Sequence, residues 1–136
     1  MTGPARSAAA PLPGRSNAVR IASGWALVLA LAITTAALFG SLLPRVPMPQ
    51  APFGDKLVHA AGYAALAVSW RLALRGPSTA ILAGVFAFGA VIECLQGLLP
   101  WRSFEWADML ANGSGAALGL LIWSLIRRAF GTAPPA

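Results

Sequence analysis

The chain has 136 residues, of which 57% are hydrophobic and 10% charged, with ten Lys and Arg against four Asp and Glu. That length holds one domain, and a mean hydropathy of +0.69 with recurrent long apolar runs excludes an ordinary soluble core in favour of membrane spans. The net charge of +6 does not indicate nucleic acid, because the basic residues fall singly or in pairs between apolar runs and form no stripe.

Residues 1–20 are rich in Ala, Pro, Gly and Ser and carry Arg6, Arg15 and Arg20. They cannot bury enough apolar surface to fold, which predicts a disordered tail. From Ile21 to Leu43 the chain is apolar and uncharged. A helix of that length reaches about 35 Å, enough to cross a hydrocarbon core of about 30 Å. The run is too long for the apolar region of a cleaved signal peptide and lacks its small-residue exit, so a retained span is expected. Pro44, Pro47, Pro49 and Pro52 then predict an extended loop, since proline removes backbone donors and restricts φ.

A second span is expected from about Leu57 to Leu74, behind Asp55 and Lys56 and before the turn at Gly76-Pro77. A third runs from about Ser78 to Leu99 and stops at Pro100. The fourth runs from about Met109 to Ile126, followed by Arg127, Arg128 and a short tail over residues 128–136. The expected fold is therefore an all-α membrane protein with four transmembrane helices over residues 21–127. The lone Cys94 forms no internal disulfide and reads as a small buried hydrophobe.

Four spans put both termini on one side. That side holds Arg6, Arg15, Arg20, Arg71, Arg75, Arg127 and Arg128, while the other holds Arg45, Lys56 and Arg102. The positive-inside rule then makes both termini cytoplasmic, in a multi-pass protein of the cell (inner, cytoplasmic) membrane. Trp25, Trp70 and Trp123 fall near the inner ends and Trp101 and Trp106 near the outer ends, as an aromatic belt requires.

With that topology the unusual polar residues gather at the outer leaflet. Asp55, His59 and Tyr63 follow an i, i+4, i+8 spacing on span two, Glu93 and Gln96 lie three apart on span three, and Asp108 and Asn112 lie four apart on span four. Lys56 and Arg102 fall at the rim. The bland account takes each alone: Asp55 and Asp108 meet helix N-termini, Gln96 and Asn112 bond between helices, and Ala111, Gly115 and Gly119 form a packing seam. Glu93 resists that account, because a carboxylate below the interface costs several kcal/mol unless it is paired, protonated or hydrated. His59 and Lys56 are its expected partners.

Taken together, Asp55-Lys56-x-x-His59-x-x-x-Tyr63, Glu93-x-x-Gln96 and Pro100-x-Arg102-x-Phe104-x-x-x-Asp108-x-x-x-Asn112-x-x-Gly115 resemble the VanZ-like membrane proteins over roughly residues 25–126. The resemblance implies a small multi-span bacterial protein, and the family's namesake is associated with low-level teicoplanin resistance. It supplies no settled reaction.

Two functions compete. In one, an envelope enzyme or binder acts on a lipid-linked or anionic headgroup, with His59, Glu93, Asp55 and Asp108 as acid/base candidates and Lys56, Arg102, Tyr63, Gln96 and Asn112 as binding candidates. In the other, the polar groups tie helices together and the small-residue seam docks a partner. No compact ligand motif supports a metal at Asp55, His59, Glu93 and Asp108, so no cofactor is expected. A transporter is disfavoured because the polar groups gather on one side rather than at the midplane.

Overall fold

The computed structural model describes residues 19–44 and 54–131. Four helices run alternately up and down: α1 Gly24–Leu42, α2 Gly54–Ala73, α3 Ser78–Gln96 and α4 Trp106–Phe130. Among the described residues, α1, α3 and α4 are long and apolar enough to cross a membrane. α2 matches them in length but carries Asp55, Lys56 and His59 near its start. Of the tail expected over residues 1–20, residues 1–18 lie outside the described residues, as do the proline loop over 45–53 with Arg45 and the tail beyond 131, whereas Arg20 is ordered in a strand rather than disordered.

Helix boundaries moved by a few residues for local reasons. α3 ends at Gln96, three residues short of the expected stop, because Gly97 begins a series of tight turns that closes with the Arg102 N–H bonding the Leu99 carbonyl. α4 begins at Trp106, which brings Asp108 into its first turn. At the other end of the bundle a two-residue antiparallel pairing joins strand β1, Arg20–Ile21, to strand β2, Leu74–Arg75, so Arg20 faces Arg75.

α2 is the central element, touching α1, α3 and α4, and its contact with α4 is the most extensive. The reason is the run of small residues on α4. A Cβ on Gly115 would overlap the Ala60 backbone, and one on Gly119 would lie 2.7 Å from the Ala64 carbonyl oxygen. Bare backbone at both positions lets the two helices meet. This seam is consumed inside the chain, which corrects the expectation that it docks a partner. Around it, Tyr63, Leu66, Ala67, Ile81, Val85, Ala116 and Leu120 form the main core, and Ala26, Ala30 and Ala73 form a smaller one between α1 and α2.

One side chain is placed differently from the sequence expectation. Cys94 is exposed rather than buried, because at about 100° per residue it faces away from the neighbouring, fully buried Glu93. Trp70 is half-buried and donates through Nε1 to the Thr34 hydroxyl at 3.1 Å, tying α2 to α1.

Candidate functional site

Alternating helices bring the end of α1, the start of α2, the end of α3 and the start of α4 to one end of the bundle. All four acidic residues of the chain sit there: Asp55, Glu93, Glu105 and Asp108. Arg71, Arg75, Arg127 and Arg128 occupy the final turns of α2 and α4 or the residues just beyond them, at the opposite end.

Lys56 is the hub of the acidic end. Its Nζ lies 2.7 Å from Asp55 Oδ2, 2.6 Å from Glu105 Oε2 and 2.6 Å from Asp108 Oδ1. Asp55 and Lys56 lie ahead of the apolar run that starts at Leu57.

One turn deeper, His59 Nδ1 lies 2.9 Å from Asn112 Oδ1 and Nε2 lies 3.5 Å from Asp108 Oδ2. The tautomer protonated at Nδ1 donates to the amide oxygen. Glu93 is fully buried, and its Oε1 accepts the Glu105 backbone N–H at 2.6 Å. Its partner is therefore the loop backbone; the expected Lys56 is engaged by the other three carboxylates. Glu93 Oε2, Asn112 Nδ2 and the Tyr63 hydroxyl are buried without a hydrogen-bond partner among the described residues. Tyr63 packs its ring against Phe88 at 6.4 Å between centroids.

Gln96, Trp101 and Arg102 do something else. The last carbonyls of any helix lack partners within it, and α1 has neither a basic residue in its last turn nor a glycine closing it. Arg102 Nη2 donates to the Leu43 and Gly40 carbonyls at 2.7 and 3.3 Å, Gln96 Nε2 to Ser41 at 2.8 Å, and Trp101 Nε1 to Leu42 at 3.1 Å. The guanidinium also meets the negative end of the α1 dipole. Hence Gln96→Leu should leave a carbonyl unpaired and cost about 1–3 kcal/mol, read as a lower Tm of the purified protein in detergent.

Of the nine expected site residues, Asp55, Lys56, Asp108, His59 and Asn112 form one chain of contacts, and Glu93 joins it through Glu105. Tyr63 lies one helical turn further along α2, while Gln96 and Arg102 serve the end of α1. Glu105 was missed by sequence reasoning, although it lies midway between Arg102 and Asp108 in the same acidic stretch. An apolar cavity of about 290 Å³ between α1, α2 and α3 is lined by Thr34, Leu66, Trp70, Ile81, Val85 and Phe88 among others, and holds no ionisable side chain.

Membrane-length helices with a carboxylate, imidazole and amide cluster closing one end define a multi-pass membrane protein with a polar end site. Residues 21–127 match the family described as VanZ/LLP1, and the chain belongs to that family. No curated protein and no solved structure matches the chain.

Proposed function

We propose that this VanZ-family protein is a four-span protein of the cytoplasmic membrane, with both termini inside, that receives a lipid-linked envelope molecule at the outer leaflet. α2 serves as the fourth span: its 20 residues reach about 30 Å, and its polar groups cluster at one end. The segregation of the acids to one end and of Arg71, Arg75, Arg127 and Arg128 to the other supports this orientation, by the positive-inside rule.

The observation that carries the functional reading is the trio of buried, unpartnered groups, Glu93 Oε2, Asn112 Nδ2 and the Tyr63 hydroxyl. Unpaired buried polar atoms are costly, and a ligand that supplies their hydrogen bonds recovers that cost. Recognition accordingly rests on hydrogen bonds to a polar, uncharged part of the ligand. An anionic headgroup would have to compete with three carboxylates for Lys56 and with the α1 carbonyls for Arg102. His59 with Glu93 is the acid/base pair available for a reaction.

The functional test is complementation of a deletion strain under cell-envelope stress, glycopeptide challenge included, with membrane levels measured in parallel. Failure of Glu93→Gln at normal abundance supports a working site; full complementation returns the polar groups to a structural role. For topology, a reporter that fluoresces only in the cytoplasm should be bright when fused at Gly76 or the C-terminus and dark near Ser103. A bright fusion near Ser103 reverses the orientation.

A further inference from the structure

From the end of the bundle opposite the acids, the apolar cavity of about 290 Å³ runs as a groove along α3 as far as Phe88. α3 packs more closely on α4 than on α1, which leaves a gap between α1 and α3 over the face of α2. Leu66, Ile81 and Val85 form its buried floor, and Val19, Ala80 and Gly84 stand exposed along its lip. Its mouth lies against the β1–β2 pairing, since Val19 precedes Arg20 and Leu74 precedes Arg75. We propose that this groove holds one acyl chain of an anionic phospholipid from the leaflet at the arginine end, with the phosphate seated on Arg20 and Arg75.

Size and lining point to hydrocarbon. The polar side-chain groups in the lining are already satisfied: the Thr34 hydroxyl donates to the Ala30 carbonyl at 2.7 Å and accepts the Trp70 N–H at 3.1 Å. A polar occupant would forfeit its own hydrogen bonds there. An apolar cavity of about 150 Å³ already admits benzene, so this one has room for a stretch of chain. From Ala80 to Phe88 the groove follows α3 for about 12 Å, close to the roughly 15 Å of hydrocarbon in one leaflet. The exposed lip lets a chain enter sideways from the bilayer.

Charge at the mouth points to the headgroup. Arg20 and Arg75 stand directly opposite each other across the antiparallel pairing, where like charges destabilise unless a counter-charge lies between them. Neither guanidinium has a hydrogen-bond or ion-pair partner among the described residues, and all four carboxylates of the chain lie at the other end. Arg71 adds a third positive charge, its Nη1 donating to the Leu74 carbonyl at 2.9 Å. Guanidinium groups bind phosphate through paired N–H donors, and basic pockets between membrane helices take anionic headgroups. Strand alternation puts Arg20 and Arg75 on the face of the pairing opposite Ile21 and Leu74. The phosphate therefore lies on the outer side of the pairing, and the chain passes its edge at Val19 into the groove. This inference holds whichever side of the membrane the arginines face and does not rest on the reading of the polar end.

The test uses the full chain purified in detergent, with phosphatidylglycerol and phosphatidylcholine of matched oleoyl chains as probes. Native mass spectrometry should count one phosphatidylglycerol retained per chain and roughly tenfold less phosphatidylcholine. Arg20→Gln together with Arg75→Gln should erase that preference. Gly84→Phe, at a position where a Cβ meets no atom within 4 Å, should fill the groove and cut retention of both lipids. A phosphatidylglycerol carrying a mid-chain diazirine should cross-link within residues 80–88 or at Thr34, and that map decides the matter should a variant fail to accumulate. Equal retention of the two lipids, a preference that survives the arginine changes, retention unchanged in Gly84→Phe, or cross-links confined to α4 would each overturn the proposal. No retained lipid at all would do the same and leave the groove to another occupant. The complementation assay reads the polar end separately, so its failure leaves this result standing.

Discussion

Glu93→Gln and His59→Gln should each abolish complementation at normal membrane abundance, and the double variant should be little worse than either single one. The physical case starts with what glutamine keeps. Oε1 still accepts the Glu105 N–H, so the loop that carries Glu105 stays anchored to α3. What disappears is the charge and the titratable proton. Buried charges are often replaced by neutral groups at little net cost, so a purely structural Glu93 predicts unchanged or improved stability and full activity. A Glu93 that works with His59 predicts lost activity in a folded protein. Groups acting as a unit lose most of their effect with the first substitution, which is why the double variant separates a working pair from two independent struts. Additive partial losses in the double variant would count against a shared role.

Gly115→Leu should cut the folded yield severalfold, the largest structural effect expected of any single change here. Even a lone Cβ at this position overlaps the backbone of Ala60, and backbone cannot swing aside as a flexible side chain can. The two helices must separate, and their contact is the most extensive in the bundle. Overpacking typically costs about 1–3 kcal/mol, and occasionally more, when side chains can adjust; a main-chain obstacle belongs at the upper end. Separation also pulls Asn112, one turn earlier on α4, away from His59 on α2, so the site is lost with the fold. Gly84→Ala is the control, because a Cβ there meets open space. Normal accumulation and unchanged Tm for Gly115→Leu would remove the seam as a determinant of assembly.

The helices and the end at which the polar groups gather were legible from local pattern. Apolar runs bounded by Pro, Gly and Arg yielded four helices to within a few residues, and i, i+4 spacing aligned Asp55 with His59 and Asp108 with Asn112. The small-residue run on α4 was equally readable as a packing seam, because it needs only one helix to be seen.

Which partner each polar group takes was decided only in three dimensions. Lys56 reaches Glu105 across 49 residues, Gln96 reaches Ser41 across 55, and Arg102 reaches Gly40 across 62. Those choices depend on how each helix is rotated about its axis and on the turns from Gly97 to Arg102, neither of which a periodicity encodes. Lysine and arginine add several rotatable bonds, so a charge placed by sequence at the rim can reach a carboxylate cluster or a helix end equally well. The unpaired α1 carbonyls drew Arg102, Gln96 and Trp101, and the carboxylate excess drew Lys56. Sequence determined which groups share an end of the bundle; the packing of α2 between its neighbours determined which of them touch.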